Sequence, residues 1–310
     1  MKSALIIGEA LIDVVKRGPR VAEHPGGSPA NVAVGLARLG RRVDLATWFG
    51  TGPRGAALRT HFKVADVHLV PGSDRAPHTS IARADLDDHG RATYTFDLSW
   101  RVPEVHLDSS VGVVHTGSIA AVLPPGADGV LEILTAAGET STVSYDPNIR
   151  AAAMGEPTEV RPRVEALVAV SDVVKASDED VRWLYPDVTE EETARRWAGS
   201  GPGLVVLTRG ARGATAYTAA GAEVHAPAPP VEVRDTVGAG DAFTSGLLDA
   251  LWEAGLLGAG ARGDLRAIER ATLERALSWA AHCAAITVSR AGANPPTRAE
   301  VEESLRARPE

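Results

Sequence analysis

The chain has 310 residues, 44% hydrophobic, 23% charged and only 5% aromatic, enough to bury a full core without a metal or disulfide staple. Forty acidic against 32 basic side chains leave a formal charge of -8, which argues against a broad nucleic-acid or anionic-membrane surface but allows a local basic pocket. One cysteine, Cys283, excludes an intramolecular disulfide and fits a reducing compartment, and nine histidines that never recur at i, i+4 argue against zinc.

The opening run MKSALIIGEALIDVV is broken by Gly8, Glu9 and Asp13 and is too short to span a bilayer. It lacks a small-residue cleavage site, so it reads as a buried strand, and a soluble, cytoplasmic protein is expected. Further strand-like runs at 43–49, 111–115, 142–145, 173–174 and 204–208 alternate with helical stretches at 29–39, 127–137, 161–170, 190–198, 239–254 and 265–286. Strands that are apolar throughout are buried on both faces, as in a parallel sheet. The expected fold is one domain over residues 1–310, a three-layer α/β/α sandwich with a mostly parallel sheet.

Two segments interrupt this rhythm. Residues 10–25 contain an alternating piece and a loop rich in charge, Gly and Pro. Residues 79–98 read as two alternating strands around Asp88-His89-Gly90. Alternation implies one wet face, so a small antiparallel sheet built from these two insertions is expected to form a lid.

The stretch 231–246, VEVRDTVGAGDAFTSG, runs from a strand through a glycine turn into an Ala/Leu helix. Exposed backbone N–H groups and the positive end of the helix dipole make such a turn an anion site, although an ordinary helix cap has the same spelling. No lysine stands where a P-loop needs one, and Phe243 replaces the third glycine of a dinucleotide fingerprint. A phosphate cradle beside Asp241 remains. That carboxylate would repel phosphate unless it collects a proton from an acceptor hydroxyl attacking a γ-phosphoryl group.

DTVGAGDAFTSGLL resembles the C-terminal signature of ribokinase-like, PfkB-type carbohydrate kinases, and GGSPANVAVGLARLG at 26–40 resembles their N-terminal signature. The resemblance implies ATP and Mg²⁺, Asp241 as catalytic base, and Gly238, Ala239 and Gly240 as the anion hole. It places Asp13, Gly26, Gly27 and Asn31 on the sugar, and Arg150 of Asp146-Pro147-Asn148-Ile149-Arg150 on phosphate or a substrate oxygen. Thr208, Arg209, Gly210 and Gly213, together with Gly238 and Gly240, would contact the nucleotide, and residues 281–294 would wrap adenine. Asp180 of Ser177-x-x-Asp180 replaces the usual N-x-x-E and would hold Mg²⁺ through water, with Ser177 readable as a helix cap. Asp235 stands where relatives bind a monovalent cation such as K⁺. Ser28 departs from the lysine frequent in ribose kinases.

These matches imply transfer of the γ-phosphoryl group of ATP to a primary hydroxyl of a small sugar, fructose first because of DPN-x-R. Alternatives are 2-keto-3-deoxygluconate, with Arg83, Arg101 and Arg150 for its carboxylate, and ribosides stacked on Tyr94, Phe96 and Trp100. A non-catalytic sugar-sensing protein is the alternative from another class. Partners are sugar and ATP, with no nucleic acid or membrane, and a homodimer through the lid is open.

Overall fold

The computed structural model describes residues 2–86 and 92–307. In chain order its strands are β1 (Ser3–Ile7), β2 (Leu11–Arg17), β3 (Arg20–Gly26), β4 (Val43–Ala46), β5 (Val67–Leu69), β6 (Ile81–Leu86), β7 (Ala92–Asp97), β8 (Val111–Gly117), β9 (Thr142–Asp146), β10 (Val173–Ser177), β11 (Leu204–Thr208), β12 (Ala214–Thr218) and β13 (Glu223–Ala226). One nine-stranded sheet runs β13-β12-β11-β10-β9-β8-β1-β4-β5. It is parallel from β5 to β11 and antiparallel at β11-β12-β13.

Alternation along these strands divides their side chains between two cores. Ala4, Ile6, Val113, Val173, Leu204 and Val206 pack with helices Ser28–Arg38, Pro53–Val64, Ala239–Glu253 and Arg270–Val288. Their neighbours Leu5, Ile7, Val114, Val174, Val205 and Leu207 pack with helices Gly126–Ala137, Pro157–Ala169, Asp178–Leu184 and Glu190–Ala198. The three-layer sandwich is therefore the one the apolar strands predict. Among the described residues no helix is long and apolar enough to cross a membrane.

The two interruptions form a second sheet in the order β3-β2-β6-β7. It is not wholly antiparallel, because β2 and β6 pair in parallel. Both strands leave the body side by side, as the Ile12 N–H donating to Ser80 O at 3.0 Å records, so they run the same way. Asp88-His89-Gly90 lies outside the described residues. Tyr94 and Phe96 stack with ring centroids 6.4 Å apart, but Trp100 falls beyond β7. It is buried in the body with Nε1 donating to Ala120 O at 3.0 Å, so the expected aromatic stripe is split.

Other departures are local. The stretch 265–286 is two helices, Arg262–Arg266 and Arg270–Val288, because the chain turns extended at Glu269 (φ -66°, ψ 141°). The short antiparallel edge β12-β13 and helices Pro53–Val64 and Arg298–Arg306 escape the sequence reading, Pro53–Val64 because its apolar periodicity is weak.

Helix Ala239–Glu253 is pressed between Ser28–Arg38 and Arg270–Val288. A Cβ on Gly246 would lie 2.8 Å from Cys283 Sγ and 2.9 Å from Ala280 Cα. Gly246→Ala is therefore expected to cost about 1–3 kcal/mol in chemical denaturation through overpacking. Gly263→Ala, whose methyl meets nothing within 4 Å, should stay within about 0.5 kcal/mol of the parent. Equal effects at the two positions would contradict the packing account.

Candidate active site

β1 lies where the strand order reverses, between β4 and β8, the place where open α/β sheets leave a ligand crevice. The chain leaves β1 through Gly8-Glu9. Glu9 is buried, its Oε1 accepting the Ser28 N–H at 3.4 Å and its Oε2 the Ala120 N–H at 3.0 Å. Burial pushes its carboxyl up to about 7, against the pull of those amides.

The GAGD turn begins helix Ala239–Glu253. Gly238 takes the left-handed conformation, φ 75°, and a Cβ there would strike Ala293 Cβ at 2.6 Å. Gly238, Ala239 and Gly240 thus form the positive end of the helix, and Asp241 stands in its first turn, 5% exposed. Ser28 Oγ donates to Asp241 Oδ1 at 2.7 Å, and Asn31 Nδ2 donates to Oδ2 at 2.8 Å. Asn148, held at φ 37°, donates to Ser28 Oγ at 2.6 Å. Both sequence signatures therefore meet at one carboxylate.

Asp13 points from β2 toward this group. A Cβ on Gly26 would fall 2.0 Å from Asp13 Oδ2, so the glycine admits the carboxylate. Gly27 precedes helix Ser28–Arg38 at φ 105°. Burial pushes Asp13 up to about 6 against the pull of Arg150 and His24, and the Asp241 charge adds to the rise. Arg150 is exposed and donates to the carbonyls of Asn148 at 3.4 Å and Ile149 at 3.0 Å.

Lys175 is a functional candidate that the sequence reading missed. It is 4% exposed, and its Nζ donates to Asp146 Oδ2 at 3.0 Å. A Cβ on Gly240 would sit 2.9 Å from that Nζ, so the ammonium lies against the GAGD turn. Burial opposes its charge, but Asp146, Asp180 and Asp241 outweigh burial and raise its pKa. Asp146 also accepts from Thr244 Oγ1 at 3.3 Å, and burial pushes its carboxyl up to about 6. The available signal was a lysine inside the otherwise apolar strand VVKAS. Glu9, Ser28 and Asn148 were read without these roles.

The remaining candidates have structural partners. Asp180 closes a capping box with Ser177, and its Oδ1 accepts the Ile149 N–H at 2.7 Å. Asp235 accepts the Val237 N–H at 3.0 Å and the Gly292 N–H at 2.8 Å, clamping the turn to the tail loop. Arg209 pairs with Glu191 at 2.6 Å, so its charge is already engaged. Thr208 Oγ1 donates to Ala176 O at 3.3 Å. Gly210 (φ 53°) stands in open space, whereas a Cβ on Gly213 would strike Ala226 O at 2.1 Å. Among the described residues no group of three or more His, Cys, Asp or Glu side chains gathers to hold a metal.

A carboxylate fixed at a helix start, beside backbone amides and a buried ammonium, can take a hydroxyl proton while its surroundings stabilise a phosphoryl group. The sheet and its layers are those of the ribokinase-like α/β/α class. The pattern described as pfkB family carbohydrate kinase matches residues 1–300, and the chain belongs to that family. It is 33% identical to a fructokinase of Klebsiella pneumoniae over 97% of this chain and 98% of that protein. The solved fructokinase of Xylella fastidiosa with bound ATP superposes with a TM-score of 0.86 at 26% identity, covering 99% of both chains. A fructokinase double mutant of Vibrio cholerae with fructose, ADP and potassium bound superposes at 0.78 with 28% identity, covering 98% of each.

Two outcomes follow from the site's electrostatics. Lys175→Met leaves the buried Asp146 without its cation and should cost about 3–5 kcal/mol in chemical denaturation. Adding Asp146→Asn should recover most of that loss; additive losses would show the pair to be uncoupled. Asp13→Asn should be more stable than the parent at pH 8, because native Asp13 ionises at about 6 and its unfolded reference is 3.8. The native state binds more protons between those values, so this group's contribution to stability falls as pH rises through the window. The advantage of the variant should be full above about pH 7 and vanish below about pH 4. An advantage undiminished at pH 4 would refute this assignment.

Proposed function

We propose that this chain is an ATP-dependent fructose kinase that transfers the γ-phosphoryl group to a primary hydroxyl. The observation that carries the reading is the convergence of Ser28, Asn31 and Asn148 on Asp241, with Asp13 close enough to feel its charge. The fructokinases among its relatives support fructose as the acceptor.

In this mechanism Asp13 accepts hydrogen bonds from sugar hydroxyls, and Asn31 and the Gly26-Gly27 backbone complete the cradle. Asp241 takes the proton of the attacking hydroxyl, whose oxygen keeps the electron pair and bonds to the γ-phosphorus as the bond to the bridging oxygen breaks and ADP leaves with that pair. Lys175 and the amides of Gly238, Ala239 and Gly240 balance the charge on the transferring group. The smaller sheet, which carries Asp13, closes over the sugar and excludes water, limiting ATP hydrolysis.

Mg²⁺ fits the residues present. Asp146 Oδ1 is buried with no hydrogen-bond partner, and Asp180 Oδ1 accepts one backbone amide and keeps a lone pair. These two carboxylates would hold a hydrated ion through water. When bound, the metal supplies charge neutralisation at the nucleotide phosphates.

The test is ADP release from ATP and Mg²⁺ over fructose, other hexoses, 2-keto-3-deoxygluconate and ribosides. Fructose is expected to give the highest kcat/KM, and Asp241→Asn should lower kcat by at least about 100-fold with fructose binding retained. Near-normal turnover by Asp241→Asn would sink the mechanism. Stabilisation by fructose without ADP release would identify a sugar sensor instead.

A further inference from the structure

We propose that Asn148 and Ser28 act as a polarised pair that fixes the orientation of the Asp241 carboxylate. Ser28 is the residue that departs from the ribose-kinase spelling, and this role rests on the kinase reading above. An ordinary account would make the Ser28 hydroxyl a helix cap. The structure argues otherwise, because the helix has Gly27 as its N-cap and shows no side-chain capping bond.

The direction of each proton follows from geometry. Asn148 Nδ2 lies 2.6 Å from Ser28 Oγ and 3.4 Å from Asp241 Oδ1. Flipping that amide would set its oxygen against a carboxylate oxygen, so the NH₂ group must face the pair. Ser28 has one proton. With Asn148 donating to its oxygen, that proton points to Asp241 Oδ1, 2.7 Å away. Asn31 supplies a third donor at Oδ2, 2.8 Å away.

Donors aimed at a carboxylate favour its ionised form and hold its plane. Oδ2 accepts only Asn31 and keeps room for another donor, so the acceptor hydroxyl still finds a place. During transfer the acceptor O–H bond breaks, its proton goes to Asp241 and its electron pair forms the bond to the γ-phosphorus, while the bond from that phosphorus to the bridging oxygen breaks and its pair leaves with ADP. Ser28 keeps its own proton throughout, which makes it a positioning residue. Glu9 fixes the start of this arrangement through the Ser28 N–H.

The experiment compares Ser28→Ala, Asn148→Ala and the double variant. Ser28→Ala should lower kcat by about 10- to 100-fold, the range for a hydrogen bond to a charged group, while the fructose KM stays within about twofold. The acid limb of its kcat/KM profile should move up by about one pH unit. Asn148→Ala should shift both in the same direction by less. The double variant should be no more than about twofold slower than Ser28→Ala, because the short bond from Asn148 is to Ser28 and its reach to Asp241 is long, at 3.4 Å. Unchanged kcat and pH profile in Ser28→Ala, or additive losses in the double variant, would overturn the proposal.

A second readout does not depend on turnover. Carboxyl-carbon NMR, with the Asp241 signal identified by its loss in Asp241→Asn, should show protonation at higher pH in Ser28→Ala than in the parent. An unmoved titration overturns the pair's role whatever the enzyme phosphorylates. A moved titration in a protein that phosphorylates no sugar leaves the role standing and rejects the kinase reading.

Discussion

Crowded carboxylates at the ends of the parallel strands are the constraint around which this molecule is built. Glu9, Asp13, Asp146, Asp180 and Asp241 share the crevice with the cations Lys175 and Arg150. So many acids in a dry site cannot all be ionised without compensation. Burial shows its cost in the carboxyls, pushing Glu9 up to about 7 and Asp13 and Asp146 up to about 6, and Lys175 offsets part of it at Asp146. The rest is backbone. Glu9 binds the amides of Ser28 and Ala120, and Asp180 binds those of Ile149 and Ser177. Each acid thereby ties together segments that are distant in sequence, so the same charges that burden the site also assemble it.

The two signature segments are joined by more than Asp241. Helices Ser28–Arg38 and Ala239–Glu253 approach so closely that a Cβ on Gly35 would lie 2.3 Å from Ser245 Oγ. This contact, a full helical turn below the site, sets how the two helix starts meet. Small residues along both signatures therefore have two duties. Those near the helix starts leave room for ligand and carboxylate, and those deeper in the helices let backbone approach backbone. The reach of Ser28 and Asn31 to Asp241 depends on the second duty as much as on the first.

What was legible in the sequence follows from how local its physical cause is. Apolar strands, the glycine turn and the helix after it are written in consecutive residues, so the sandwich and Asp241 could be read directly. The parallel pairing of β2 with β6 is set by where two insertions leave the body, which no local pattern records. Trp100 looked like a third member of the Tyr94-Phe96 face, but β7 ends at Asp97 and the indole turns into the body core. Lys175 was visible as a charge in an apolar strand, yet its meaning depends on Asp146, on another strand, and on Gly240. Asn148 is a turn residue in sequence. Only the fold aims it at Ser28.

The nucleotide side shows how an acidic protein can hold a polyanion. Arg209, the cation beside the 210–213 turn, is engaged by Glu191, and Asp180 is committed to a capping box and to Ile149. On the proposed reading, the phosphates must then be met by the helix start at 238–240, by Lys175 and by a hydrated metal. These groups differ from a surface patch of arginines in one respect. They are fixed or buried, so their charge acts at one point in a low-dielectric pocket instead of over a face. A formal charge of -8 is compatible with ATP binding for that reason. The shortened acid of Ser177-x-x-Asp180 fits the same logic, because a metal held through water can tolerate the extra distance that a shorter side chain leaves.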